Sequence, residues 1–78
     1  MNWTNYITSD PAILYGKPAI QGTRIAVDLI LEKLAAGQTI PQLLQAYPHL
    51  KAEQILACLA FAADKVKNEV VYEVAAAA

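Results

Sequence analysis

The chain has 78 residues, room for one small domain, and 22 of them are Leu, Ile, Val or Phe, which is more than disordered proteins contain. Because 15 of its 44 hydrophobic residues are alanines, the core is thin, and we expect the fold to depend on a partner. Six basic and seven acidic side chains give a net charge of −1, which excludes recognition of nucleic acid by bulk charge alone.

Proline and glycine recur through the first 22 residues and interrupt any helix there. Segments 12–15 and 19–21 have the apolar composition of short strands. The turn between them contains Gly16, which can adopt a positive φ, and Pro18, which favours extended backbone at the preceding residue. The pattern predicts an irregular β-hairpin within about residues 6–24, with 12–15 and 19–21 as its strands.

From residue 26 onward the hydrophobic period becomes that of a helix. Helix one is predicted to run to Gly37, because a glycine interrupts the pattern there. Helix two is predicted over about residues 39–46, since Thr39 and Gln42 have the spacing of a capping box. It ends ahead of Pro48, because proline disfavours helical backbone at the residue before it.

The third and longest helix is predicted from about Lys51 to Asn68. Its predicted packing stripe consists of Ile55, Leu59, Ala62 and Val66. Other apolar side chains lie outside this stripe, so the helix has more apolar surface than one packing partner requires. We therefore expect it to contact a second chain.

Residues 1–68 are predicted to form one domain, and residues 69–78 to form a C-terminal tail available for partner binding. The segment 70–74 suits either a strand or an extension of helix three. The residues expected at the partner interface are Leu56, Ala60, Phe61, Val70, Val71 and Tyr72.

The residues that enzymes use do not form a recognisable pattern. A single cysteine, Cys58, and a single histidine, His49, leave no disulfide and no Cys/His zinc site within one chain. Residues 16–23 contain the letters of a phosphate-binding loop in the wrong order. We expect no enzyme activity, cofactor or metal, and a cytoplasmic location without membrane contact, since neither a signal peptide nor a membrane span is recognisable.

Helices two and three, joined by the turn 47–50, are a helix-turn-helix candidate. In such a unit the start of the last helix enters the major groove, and there Gln54 has the chemistry to bond an adenine edge. Glu53 beside it would repel the phosphate backbone. The predicted DNA contacts are Lys51, Gln54, Arg24 and Lys33. Three-helix bundles of this shape are often only bundles, so we favour a scaffold or protein-binding role over DNA contact.

Three short motifs occur together: Gly16-Lys17-Pro18, Gly22-Thr23-Arg24-Ile25 and Tyr47-Pro48-His49-Leu50. In this combination the chain resembles the domain of unknown function family 433, small prokaryotic proteins, over about residues 5–65. The resemblance implies a mainly α fold, a three-helix homeodomain-like helix-turn-helix bundle with a short N-terminal β-hairpin. It also implies an antitoxin of a type II toxin–antitoxin pair, whose partner is a PIN-like ribonuclease. Where the family places Thr or Ser before helix three, this chain has Lys51, a poor N-cap.

The motif residues with an expected structural role are Gly16, Lys17, Pro18, Gly22, Thr23, Arg24, Tyr47 and Pro48. Arg24 either fixes the hairpin to the bundle or to a second subunit, or contacts a ligand or phosphate. The combined expectation is a homodimeric antitoxin that binds its toxin from about Lys65 onward and binds operator DNA. The alternatives are a stand-alone DNA-binding regulator and a small structural or protein-interaction module.

Overall fold

A computed structural model describes residues 1–68 of the chain. It contains three α-helices and a short two-stranded antiparallel sheet near the N-terminus, which confirms the predicted mainly helical fold. The strands are β1, Ile7–Thr8, and β2, Ala19–Ile20, and the helices are α1, Val27–Ala35, α2, Ile40–Ala46, and α3, Ala52–Lys67. Two 3₁₀ turns lie at Trp3–Asn5 and Leu14–Gly16. The expectations for Val70, Val71, Tyr72 and the tail 69–78 lie outside the described residues.

The strand β2 is central in the small sheet. Ile7 of β1 lies opposite Ile20, on one edge of β2. On the other edge Ala19 forms a bridge with Ala26, and the Ile20 amide donates to the Ile25 carbonyl at 2.9 Å. Both residues of β2 are buried. The strand thus joins the N-terminal segment to the start of α1.

The predicted strand over 12–15 is wrong. The Asp10 carboxylate accepts from the Ala12 amide at 2.9 Å, and the Asp10 carbonyl accepts from the Ile13 amide at 2.8 Å, so a turn closes there. Leu14 and Tyr15 follow with φ of 52° and 57°, in the left-handed region, which costs a non-glycine residue about 1–2 kcal/mol. The first strand is Ile7–Thr8 instead, and the predicted second strand is found at Ala19–Ile20.

The ends of α1 and α2 follow from local sequence. Gly37 has φ 97° and its amide donates to the Leu34 carbonyl at 3.0 Å, while the next amide reaches back to Lys33, which is a Schellman ending for α1. The capping box of α2 is confirmed: the Gln42 amide donates to Thr39 Oγ1 at 3.3 Å, and the Thr39 amide donates to Gln42 Oε1 at 2.8 Å.

The packing face of α3 differs from the predicted stripe. Ile55 is buried as expected, but Leu59 is 41 % exposed and Val66 is 69 % exposed. Ala57 and Cys58 are fully buried in their place. The helix is apolar on most of its circumference, so periodicity alone does not select the inward face. The buried core consists of Ile7, Ile20, Val27, Ile30, Leu43, Leu50, Ile55, Ala57 and Cys58.

The N-terminal segment is fixed to the second half of α3 by Trp3. Its ring meets that of Phe61 edge to face, with centroids 4.9 Å apart and planes at 86°. Its Nε1–H donates to Oδ2 of Asp64 at 3.2 Å. The ammonium of Lys65 lies 5.7 Å from the centroid of the indole. We call this arrangement the Trp3 clip.

Candidate functional site

Two motif segments that are far apart in the sequence line a single groove. One side is formed by residues 22–25 and the other by residues 46–50, and the space between them is about 550 Å³. We call it the motif groove. Because α1 and most of α2 separate these segments along the chain, only the tertiary fold brings them together.

The Gly22-Thr23 turn shapes the first side of the motif groove. Gly22 has φ 81°, and the Thr23 amide donates to the Ile20 carbonyl at 3.0 Å. The Thr23 hydroxyl donates to the same carbonyl at 2.7 Å and accepts from the Ile25 amide at 3.0 Å. The hydroxyl therefore satisfies one backbone acceptor and one backbone donor of the turn. It also projects Arg24 from a rigid turn.

The turn after α2 forms the second side. The Leu50 amide donates to the Tyr47 carbonyl at 2.9 Å, and Leu50 is buried in the core. Tyr47 is half-buried and packs against the core, whereas Pro48 and His49 are exposed. Proline stops α2 and leaves the aromatic ring of Tyr47 at the wall of the groove.

The lining of the motif groove is largely apolar, with the cationic side chain of Arg24 at its edge. Arg24 carries a permanent positive charge and is exposed, and His49 is exposed on the opposite side. Among the described residues that line the groove, none carries a carboxylate. The groove is therefore chemically suited to an apolar segment that carries a negative charge.

Lys17 of the Gly16-Lys17-Pro18 motif ties the loop to the start of α1. Its ammonium lies 2.9 Å from the Asp28 carboxylate. The hydrogen bond with Lys17 lowers the pKa of Asp28, and the same contact raises the pKa of Lys17. The Pro18 carbonyl accepts from the Val27 amide at 2.9 Å. Residues 17 and 18 of this motif are thus each bonded to the start of α1.

Comparison with known proteins places the chain in a family. A sequence model of the family described as "Protein of unknown function (DUF433)" matches residues 7–62. The chain belongs to the DUF433 family. All residues that line the motif groove fall within the part matched by the DUF433 model.

Two relatives of this DUF433 chain are similar over part of their own length. The crystal structure of a duf433 member protein from Anabaena variabilis ATCC 29413 superimposes with a TM-score of 0.76 at 28 % identity, over 81 % of this chain and 62 % of that one. "Uncharacterized protein y4eO" of Sinorhizobium fredii (strain NBRC 101917 / NGR234) is 43 % identical over 49 residues. That match covers 63 % of this chain and 22 % of the relative, so it spans less than a quarter of the relative's own length.

The predicted DNA contacts lie on three parts of the chain, which are the start of α3, the turn before α1 and α1 itself. Lys51 is exposed at the N-terminus of the helix, but Gln54 Oε1 accepts from the Lys51 amide at 2.7 Å and serves as a cap. Lys33 is half-buried on α1. Arg24 lies at the motif groove, and in residues 1–68 its guanidinium makes no hydrogen bond or ion pair.

The predicted partner-interface residues on α3 separate into two groups. Leu56 is 45 % exposed, and Ala60 is half-buried beside it. Phe61 instead packs against Trp3 and the core. The part of the interface available to another molecule is therefore the side of α3 that carries Leu56.

Cys58 behaves as a core residue. It is fully buried, and burial raises the pKa of its thiol to about 11, which disfavours the nucleophilic thiolate.

Within residues 1–68 no three His, Cys, Asp or Glu side chains are grouped so as to hold a metal ion. In the same part of the chain, no helix has the length and apolarity needed to cross a membrane.

Sequence reasoning missed the motif groove and the Trp3 clip. Residues 22–25 and 47–50 are both recognisable motifs, but no spacing rule connects two segments that lie on either side of α1 and α2. The single tryptophan near the N-terminus was the available signal for the clip, because a large aromatic side chain in a small domain is seldom left unpacked.

Proposed function

We propose that this DUF433 chain is an antitoxin-like protein-interaction module whose partner is a PIN-like ribonuclease toxin. The observation that carries the proposal is the convergence of both motif segments on one apolar groove. The proposed occupant is an extended apolar segment of the toxin that carries a carboxylate. Its apolar side chains fill the motif groove, and its carboxylate pairs with Arg24.

The chemistry of the groove favours protein over nucleic acid. A nucleic-acid site needs several cations directed at successive phosphates, whereas the motif groove presents Arg24 and His49 at the edges of an apolar lining. Tyr47 offers a large aromatic surface of the kind that dominates protein interfaces. The absence of carboxylates among the described lining residues leaves the charge of Arg24 available to a partner.

The test is coexpression of the chain with the protein encoded by the adjacent reading frame. The wild-type chain is expected to copurify with that protein and to suppress its ribonuclease activity and toxicity. Arg24→Glu reverses the charge at the groove and is expected to weaken both effects at least about tenfold. Lys33→Glu makes the same change of charge on α1, away from the groove, and is the matched control.

Two results contradict the proposal. If the wild-type chain neither copurifies with the neighbouring protein nor relieves its toxicity, the chain is not the antitoxin of that protein. If Arg24→Glu and Lys33→Glu weaken binding equally, the motif groove is not the binding site, because a general effect of charge then explains both variants.

Operator DNA binding by a dimer is the second candidate function. It is favoured by the succession of α2, a short turn and α3, with Lys51 exposed where the last helix begins. A mobility-shift experiment on the DNA upstream of the chain's own reading frame, at low salt and with competitor DNA, tests it. Lys51→Gln is expected to weaken binding, and Lys65→Gln at the far end of α3 is the matched control.

If the chain shifts its upstream DNA specifically but binds no neighbouring protein, it is a stand-alone regulator. If it does neither, the remaining function is that of a structural or interaction module with another partner. The two experiments together therefore separate the three functions.

A further inference from the structure

One face of α3 carries exposed apolar side chains along its whole length. We call it the α3 stripe, and it consists of Ala52, Leu56, Leu59, Ala63 and Val66. The exposed fractions are 45 % for Leu56, 41 % for Leu59 and 69 % for Val66. These three are half of the large hydrophobic residues that are exposed in the described part of the chain. At one edge of this face, Ala63 lines a shallow cleft together with residues 1–4 of the N-terminal segment, while Leu56, Leu59 and Val66 remain exposed.

The spacing of the α3 stripe alternates between four and three residues. This is the heptad spacing that brings side chains of one helix into the gaps of another. At about 100° per residue the five positions fall within a sector of roughly 80°, so they form one straight seam. A seam of this kind fits another helix with the same spacing.

Two charged residues flank the stripe on the same side at opposite ends of the helix. Glu53 lies one residue after Ala52, and Lys67 lies one residue after Val66, so both hold the same heptad position. When two copies of α3 pair in antiparallel orientation, Glu53 of each copy lies near Lys67 of the other. When they pair in parallel, these residues lie at opposite ends of the dimer and cannot meet. The charges therefore complement an antiparallel pair.

The centre of the helix is also compatible with close approach. Ala60 lies midway between Glu53 and Lys67, on the flank where a two-fold axis of an antiparallel pair would pass, and it is half-buried at the cleft that residues 1–4 form with α3. Its small side chain allows the two backbones to come near each other. A surface that is complementary to itself under a two-fold rotation forms a closed dimer.

The geometry points to a second copy of this chain as the occupant of the α3 stripe, packed antiparallel through α3. Residues 22–25 and 46–50 are not part of the stripe, so the motif groove stays open in such a dimer. The inference therefore does not require the proposed toxin or DNA, whereas the proposed operator binding by a dimer requires a dimer. It requires only the full chain in solution.

The first experiment measures the mass of the full chain by sedimentation equilibrium over a range of concentrations. The wild type is expected to be a dimer, and Leu59→Glu is expected to be a monomer because it places two carboxylates at the centre of the seam. Leu29→Glu is the matched control, since Leu29 is 37 % exposed but lies on α1. It is expected to remain a dimer. Far-UV circular dichroism confirms that each variant is helical.

The second experiment exchanges the flanking charges. Glu53→Lys is expected to weaken the dimer roughly tenfold, because each of its two ion pairs becomes a like-charge contact. Lys67→Glu is expected to do the same. The double variant Glu53→Lys, Lys67→Glu restores opposite charges in the antiparallel arrangement and is expected to recover wild-type dimerisation.

Three outcomes overturn the inference. If the wild-type chain is monomeric up to millimolar concentration, the α3 stripe does not bind a second copy of the chain. A dimer that is indifferent to Leu59→Glu uses another surface. A dimer that both single charge variants weaken and the double variant does not restore is not antiparallel through α3.

Discussion

The hydroxyl of Thr23 donates a hydrogen bond of 2.7 Å to the carbonyl of Ile20, across the turn that forms one side of the motif groove. The same oxygen accepts from the Ile25 amide. Thr23→Val keeps the shape of the side chain and removes both bonds, and it is expected to lower the free energy of unfolding by about 1–2 kcal/mol. Urea denaturation measures this loss.

Thr23→Ser is the matched control for that prediction. It retains the hydroxyl and loses only a methyl group, so we expect it to cost less than about 0.8 kcal/mol. If Thr23→Ser were as destabilising as Thr23→Val, the methyl group rather than the hydrogen bonds would hold the turn.

Removal of the Trp3 clip is expected to destabilise the second half of α3. Trp3→Ala loses the edge-to-face contact with Phe61 and the hydrogen bond to Asp64, and it should lower the free energy of unfolding by about 2 kcal/mol. Circular dichroism is the appropriate probe of unfolding, because Trp3 is the only tryptophan and the variant therefore has no tryptophan fluorescence to follow. Tyr15→Ala, at a fully exposed aromatic residue, is expected to change stability by less than about 0.5 kcal/mol.

The N-terminus of α3 can be improved. Gln54 caps the Lys51 amide from within the helix, but a lysine side chain has no acceptor to return the bond. Lys51→Thr supplies that acceptor and completes a capping box, with an expected gain of about 0.5–1 kcal/mol. The reverse change on α2, Thr39→Ala, is expected to cost about 1 kcal/mol. Thermal unfolding of both variants checks the pair, and a Lys51→Thr variant without increased stability contradicts the capping argument.

The buried thiol of Cys58 is expected to be unreactive in the native state. Because burial raises its pKa to about 11, labelling by a disulfide reagent at pH 8 should be at least about a hundredfold slower than for an exposed thiol. Urea should remove this protection. Tyr15→Cys in a Cys58→Ala background is the exposed reference, and equal labelling rates would show that Cys58 is accessible.

The raised pKa also fixes the sign of one pH effect. The buried thiol stays neutral where the thiol of the unfolded chain ionises, so its contribution to stability is complete below the ordinary thiol pKa and is lost as the pH rises toward about 11. Cys58→Ala is expected to remove this part of the alkaline loss of stability.

Sequence alone predicted the features that local interactions determine. The bounds of α1 and α2 and the Thr39–Gln42 capping box all depend on residues fewer than six positions apart. For the same reason the hairpin was partly wrong. The composition of 12–15 suits a strand, but the pairing of Ile7 with Ile20 is set by tertiary structure, and Asp10 closes a turn instead.

The inward face of α3 and the motif groove required the structure. Alanine and leucine occur on all sides of α3, so the hydrophobic pattern does not select its buried face. The packing of α1 and the N-terminal segment on α3 decides that Cys58 is buried and Leu59 is exposed. The chemistry of Gln54 allows a base-reading role, but its position three residues after the N-cap also suits a cap, and the structure shows its side chain accepting from the Lys51 amide.

The Trp3 clip also has a kinetic consequence. Trp3 and Asp64 are 61 positions apart, and closing a loop of that length costs about 3–4 kcal/mol of chain entropy before the contact stabilises anything. The contacts of β2 with its neighbours and of α1 within itself close much shorter loops, so they can form first. The clip is then one of the last contacts made and the first one lost. Trp3→Ala is therefore expected to accelerate unfolding while leaving the folding rate nearly unchanged, which stopped-flow measurements can resolve.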